Sequence, residues 1–157
     1  MVHNHHNFAW KESHFGEEMV VVRKGATPAF PGQRGFVGGS MGDDAVILRG
    51  TESPDSLTLL NSTVHGAGRV MSRTEAAGKR KWGTSEILRP GKVSVEMMTE
   101  WLARRDVTLR GGGLDESPHA YRRLPDVLAA QGDTITIERT LTPVIVVAHS
   151  YKPDGSP

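Results

Sequence analysis

Residues 62–73 read STVHGAGRVMSR, and the segment changes character partway along. Ser62, Thr63 and Val64 make a short extended approach. His65, Gly66, Ala67 and Gly68 follow. The spacing then predicts a helix-compatible run to about Ala77, where Gly78 stops it. His65 would then stand at the start of a helix, where backbone N–H groups favour phosphate. Small residues at 66–68 leave room for a ligand against the backbone. Arg69 and Arg73 would share a helix face one turn apart, and could hold phosphates bidentately. A lone histidine beside glycines is more often structural. A histidine, small residues and two arginines in one turn form a phosphate-handling constellation.

Working outward, Glu18–Lys24 (EMVVVRK) reads as a strand ending at Gly25. Ala26–Gly42 carries Pro28, Pro31 and five glycines, and reads as a long functional loop. Ala45–Arg49 and Ser56–Leu60 read as strands, with Ser53-Pro54-Asp55 as the turn between them. Residues 79–91 read as a basic surface insertion. Ser94–Arg105 reads as a helix capped by Ser94, with Val95, Met98, Trp101 and Leu102 on one face. Asp106–Leu109 suggests a strand before a turn at Gly111–Gly113. Leu124–Gln131 reads as a short helix ended by Gly132. Thr134–Arg139 alternates as a half-buried strand, and Pro143–His149 reads as an apolar strand buried on both faces. No internal repeat is visible. Strands and helices interleave without a βαβ rhythm, so the expected class is α+β with mixed or antiparallel sheets.

The chain has 157 residues, a length that suits one domain. It has no cysteine, which excludes disulfides, thiolate metal sites and a cysteine nucleophile. Any metal must sit on histidine or carboxylate ligands. The longest apolar stretch falls far below the roughly 20 residues a membrane helix needs. The polar, His-rich start does not read as a signal peptide. The expectation is a soluble, cytoplasmic protein without membrane contact. Lys and Arg number 19 against 18 Asp and Glu, so a nucleic-acid site must be a local patch. Lys79-Arg80-Lys81 is one such patch, and the pair Arg69 and Arg73 is another.

Two further places hold chemistry-bearing residues. His3-Asn4-His5-His6-Asn7, with His14 beyond, offers imidazoles that bind Mn, Zn, Fe or Ni, and amides that orient a phosphate. A tag-like, frayed terminus explains the same cluster. Gly38-Gly39-Ser40-Met41-Gly42 lets backbone N–H groups approach an anion. It is not a Walker A loop, and a strained turn explains it equally.

HHNFAWKE, RKGATPAFPGQ, GGSMGDD and STVHGAGRVMSR, in that order, resemble the carboxy-terminal part of the RtcB family of GTP-dependent tRNA-splicing RNA ligases. The resemblance continues through SVEMM and ESPHAYRRLPDVLAAQGD and spans about residues 1–150, apart from the 79–91 insertion and a 151–157 tail. It implies an RtcB-like fold in part. It also implies joining of RNA 3′-phosphate or 2′,3′-cyclic phosphate ends to 5′-hydroxyl ends, through a guanylylated histidine and with manganese. By position, His65 matches the nucleophile that carries GMP. His6 matches a manganese ligand at the nucleotide site, and Asn7 a GMP contact. Gly38, Gly39, Ser40 and Met41 match a nucleotide-binding stretch. Gly66, Ala67 and Gly68 match contacts beside the nucleophile, and Tyr121 an aromatic near guanine. Arg69 and Arg73 match contacts for RNA or phosphate.

This sequence lacks the family's Asp-x-Cys metal motif, further His ligands and an Asn-His nucleotide stretch. Ala148 stands where the family often has a lysine after the last hydrophobic strand, and Ala45 stands where a serine is usual. The implied partners are RNA, a missing amino-terminal half and an archease-type activator. A non-catalytic RNA- or nucleotide-binding remnant, or a truncated frame with exposed strand edges, stays open at this point.

Overall fold

The computed structural model describes residues 2–148 apart from 4, 6, 82 and 85, with Arg80 described by its backbone alone. In chain order the elements are β1 (Asn7–His14), β2 (Glu17–Lys24), β3 (Ala26–Pro28), β4 (Arg34–Val37), β5 (Ala45–Gly50), α1 (Pro54–Thr58), β6 (Ser62–Val64) and α2 (Arg73–Ala77). They continue with β7 (Lys79–Arg80), β8 (Ile87–Arg89), α3 (Val95–Arg104), β9 (Thr108–Gly111), α4 (Leu124–Ala129), β10 (Ile135–Leu141) and β11 (Ile145–Ala148). Short 3-10 turns occupy Leu114–Glu116, Pro118–Ala120 and Gly132–Thr134. The fold is α+β, with mostly antiparallel small sheets and short helices. The chain gathers into two compact units.

The first unit holds Met1–Gly39, Asp44–Ala67 and Arg123–Leu141. β1 and β2 form an antiparallel hairpin, and β10-β5-β4 an antiparallel sheet. β3 pairs with β6. Val37, Val46, Leu48, Leu124, Leu128 and Ile135 build the core, with Ala29 and Ala67. Gly50 is forced by backbone crowding rather than by its torsion. A Cβ there would lie 2.2 Å from the Ala29 carbonyl oxygen and 2.4 Å from that of Phe30. Gly50→Ala is expected to destabilise by about 1–3 kcal/mol or more, read as a lower denaturation midpoint.

Ser56–Leu60, expected as a strand, instead lies in α1 and the turn after it. The Ser53 hydroxyl accepts from the Ser56 N–H at 3.0 Å, and Pro54 opens the helix. That serine–proline pair is a helix start as well as a turn signal. The expected 26–42 loop contains β3 and β4, the first anchored by β6 and the second by β5. β10 is broken by a register shift between Ile137 and Arg139, so Ile137 is exposed rather than half-buried.

The second unit holds Ser40–Asp43, Gly68–Arg122 and the chain from Thr142. β7 and β8 pair antiparallel, and β9 and β11 pair parallel. α3 starts at the Ser94 cap and carries Glu96 early and Arg104 late, as the sequence indicates. Met98, Trp101 and Leu102 pack with Met41, Val107, Leu109 and Val146. Val95 is exposed instead of joining them.

The helix expected from about residue 66 is the five-residue α2 alone. Gly68 takes φ +75°, and Ser72 starts α2 with a capping box closed by Glu75. Gly78 ends it as read. β11 is not buried on both faces: Ile145 is 53% and Val147 77% exposed, and among the described residues it pairs with β9 alone. His149 lies outside the described residues.

Candidate active site

In the first unit, Ala26 stands opposite Val64, so Gly25 and His65 meet where β3 and β6 meet. His65 Nδ1 lies 2.8 Å from the Gly25 carbonyl oxygen. A carbonyl only accepts, so Nδ1 carries the hydrogen and the imidazole lone pair sits on Nε2. Gly25 holds φ +74°, which favours glycine at the position that aims this carbonyl. Gly38 bridges Gly66, and a Cβ at Gly66 would lie 3.4 Å from the Gly38 oxygen. Ala67 is buried in the core beside them. Asn7, exposed, faces Lys24 in the hairpin register, one residue before Gly25.

A buried ion pair braces this end. Arg23 donates to Glu12 at 2.5 and 2.9 Å, to the Leu60 carbonyl at 2.9 Å and to Ser62 Oγ at 2.9 Å. One guanidinium thus joins β2, two residues before Gly25, to β6, three residues before His65. His14 is also buried, and its Nε2 lies 2.8 Å from Glu12. The Arg23 hydrogen bonds hold the Glu12 carboxyl below its ordinary value of 4.5. A depressed folded pKa stabilises fully above the unfolded value and less as pH falls through the folded one. Denaturation from pH 7 downward is expected to show stability falling below about pH 4.5. Glu12→Gln should flatten that limb.

In the second unit, Arg69 bridges Tyr121 in backbone and side chain. Arg69 Nη1 donates to the Tyr121 hydroxyl at 2.8 Å, Nη2 to the Asp115 carbonyl at 2.6 Å and Nε to the Met71 carbonyl at 3.1 Å. Its guanidinium also lies 4.8 Å from the Tyr121 ring centroid. Tyr121 donates in turn to Glu116. Burial, reinforced by Glu116, raises the Tyr121 pKa. Arg73 pairs with Asp115 at 2.5 Å and with Glu116. Arg69 and Arg73 are therefore not neighbours on one helix face, since Arg69 precedes α2 and Arg73 begins it. They meet through Asp115 and Glu116. Arg73 is 65% exposed, so Arg73→Ala should cost under about 1 kcal/mol of stability. Arg69→Ala, which strips several part-buried bonds, should cost about 1–3 kcal/mol by the same thermal denaturation.

Gly39 closes its segment of the first unit, whereas Ser40 and Met41 fall in the second. Ser40 Oγ is buried with no hydrogen bond among the described residues, and the Met41 side chain is buried against Leu102 and Val107. Gly68, exposed, leads into Arg69. His6 lies outside the described residues. His3 and His5 stack edge-on at 4.4 Å, and His5 touches Phe8 and Trp10. Phe8 is half-exposed. Among the described residues no three His, Asp or Glu side chains converge to hold a cation. That donor set does not fit a manganese centre on its own.

Sequence reasoning missed Gly25, Glu12, Arg23, Asp115 and Glu116. The acid pair in LDESPHAYRR was the one local signal. The others depend on strand pairing.

Together these features define an α+β chain whose exposed histidine is fixed in one tautomer by a backbone carbonyl, among glycine-rich strand ends. The tRNA-splicing ligase RtcB family matches residues 1–149, and the chain belongs to that family. It is 41% identical over 143 residues to the RNA-splicing ligase RtcB of Escherichia coli K12, covering 91% of this chain and 31% of that protein. It is 33% identical to the tRNA-splicing ligase RtcB of Pyrococcus furiosus, covering 78% of this chain and 13% of the relative. The corresponding protein of Nanoarchaeum equitans is 32% identical, with coverage of 78% and 27%. The chain thus spans about a third or less of these relatives. No helix among the described residues is long and apolar enough to cross a membrane.

Proposed function

We propose that this chain carries the guanylylated-histidine part of an RNA ligase that joins 3′-phosphate or 2′,3′-cyclic phosphate ends to 5′-hydroxyl ends at the expense of GTP. The observation that carries the reading is the 2.8 Å contact of His65 Nδ1 with the Gly25 carbonyl, which puts the lone pair on Nε2. In the proposed sequence, Nε2 attacks the α-phosphorus of GTP, an N–P bond forms, and pyrophosphate leaves. The RNA 3′-phosphate then attacks that phosphorus, displacing the imidazole and giving an RNA–ppG end. The 5′-hydroxyl attacks the RNA phosphate, loses its proton and expels GMP.

The backbone of Gly38, Gly39, Ser40 and Met41, with Asn7, Gly66, Ala67 and Gly68, is proposed to cradle the nucleotide. Tyr121 is proposed to contact the guanine, and Arg69 and Arg73 the RNA phosphates. Manganese, held in part by His6, would supply neutralisation of phosphate charge. Sealing is proposed to need residues outside these 157, of the kind found in an amino-terminal half, and an archease-type activator is a further candidate partner. In a gel assay with 3′-phosphate and 5′-hydroxyl RNAs, GTP and Mn²⁺, the chain alone should seal nothing. Adding the remaining portion of an RtcB relative should restore sealing, and His65→Ala in this chain should abolish it. Sealing that persists with His65→Ala would overturn the reading.

A further inference from the structure

The segment between Gly78 and Gly91 plays no part in the proposed ligation steps. It is nevertheless a built structure. β7 and β8 pair antiparallel, and two glycines pinch the neck. A Cβ at Gly78 would lie 2.6 Å from the Arg89 oxygen, and one at Gly91 would lie 2.3 Å from the Ala76 oxygen. Lys92 N and Val93 N then donate to the carbonyls of Glu75 and Ala76, fastening the return strand beside α2. Beyond the neck, every described residue with a described side chain from Lys79 to Pro90 is exposed. Ile87 and Leu88 are 59% and 54% exposed, so the ribbon packs neither face against its own unit.

The charge of this arm is one-sided. Residues 79–92 hold Lys79, Arg80, Lys81, Arg89 and Lys92 against the single acid Glu86. Lys81 pairs with Glu86 at 3.2 Å, and Lys92 with Glu75 at 3.1 Å. Lys79 and Arg89 stand directly opposite each other in the register, and neither enters an ion pair among the described residues. Like charges facing across a strand pair destabilise it, and a lone two-stranded ribbon is marginal to begin with. An anionic strand lying along the ribbon would remove that repulsion.

We propose that the β7–β8 arm is an RNA-contact surface, with Lys79 and Arg89 gripping the backbone phosphates of a single strand. This rests on the ligase reading for its choice of RNA over an acidic protein. The test uses the full chain and a fluorescein-labelled, unstructured 3′-phosphate RNA, followed by anisotropy from about 50 to 200 mM salt. Lys79→Ala/Arg89→Ala should weaken binding and make the log–log salt slope shallower by about 1.4, the share of two phosphate contacts on a single strand. Its melting temperature should hold or rise, since the facing charges are gone, whereas a structural role for the pair would lower it. Lys11→Ala, an exposed cation on β1, should leave more of the slope in place than the double variant does. An unchanged slope in the double variant would overturn the proposal. So would labelled polyglutamate binding as tightly as RNA and with the same dependence on Lys79 and Arg89. Binding needs no turnover, so a failure of GMP transfer to His65 would strike the ligase reading and leave the arm result intact.

Discussion

Arg23→Met is expected to destabilise the chain by about 3–5 kcal/mol. The substitution leaves Glu12 deprived of its cation, with its side chain only 7% exposed, and it strips the Leu60 carbonyl and Ser62 hydroxyl of a shared donor. Breaking a buried pair by removing one partner is costly for that reason, whereas replacing both charges is often nearly neutral. Glu12→Gln/Arg23→Met should therefore recover much of the loss in urea denaturation. The double variant also separates stability from positioning. Arg23 spans the strand that leads into Gly25 and the strand that leads into His65, so the refolded double variant should hold the Gly25 carbonyl less firmly against the imidazole. In ¹⁵N NMR of the histidine rings, wild-type His65 should show the Nδ1–H tautomer, and the double variant a mixture with Nε2–H. A folded double variant with an unchanged tautomer would confine Arg23 to a structural role.

The effect on the first chemical step should be larger still. His65 is exposed, so His65→Ala removes little packing and should leave the thermal midpoint within about 0.5 kcal/mol equivalents of wild type. It removes the nitrogen that would bond phosphorus. With the remaining portion of an RtcB relative present, labelled GMP on this chain should fall from a measurable level to none, while the fold stays. His14→Ala provides the contrast. That histidine is buried against Glu12 and stacks on Phe30 at 6.0 Å, so its loss should lower stability and leave the site of labelling unchanged.

How much of this was legible beforehand depended on whether the signal was local. Glu18–Lys24 and Ala45–Arg49 announced themselves through β-branched runs, and both are strands. Ser94 and Arg104 marked the ends of α3 because capping and dipole preferences act within one turn. Ser53-Pro54 also acts locally, yet it opens a turn and a helix equally well, and the residues after Asp55 decide between them. The run through 66–77 failed as one helix because a capping box at Ser72 and Glu75 competes with any earlier start. Pro143–His149 misled for another reason. Apolar content shows that a strand could be buried, and what packs over its faces decides whether it is. Among the described residues β11 pairs with β9 alone, and Val144, Ile145 and Val147 stay in the open.

The site follows the same division. The motif around His65 named the nucleophile candidate, the flanking glycines and the two arginines. The carbonyl that fixes its tautomer lies 40 residues earlier. The Asp115 main-chain carbonyl that holds Arg69 and the Asp115 carboxylate that holds Arg73, in the second unit, lie more than 40 residues later. Such partners are set by strand register and chain return, and no window of sequence contains both members. The arginines offered as phosphate contacts therefore come already engaged, so an incoming phosphate must compete with the Asp115 and Glu116 carboxylates at Arg73 and with main-chain carbonyls and the Tyr121 hydroxyl at Arg69.

The central claim is that Nε2 of His65 takes the nucleotide. The most direct measurement combines the chain with the remaining portion of an RtcB relative, adds α-labelled GTP and Mn²⁺, and maps the adduct by mass spectrometry under alkaline conditions that preserve a phosphoramidate. The account predicts GMP on His65 and none on the His65→Ala chain. GMP on another residue, or labelling that survives the substitution, would contradict it.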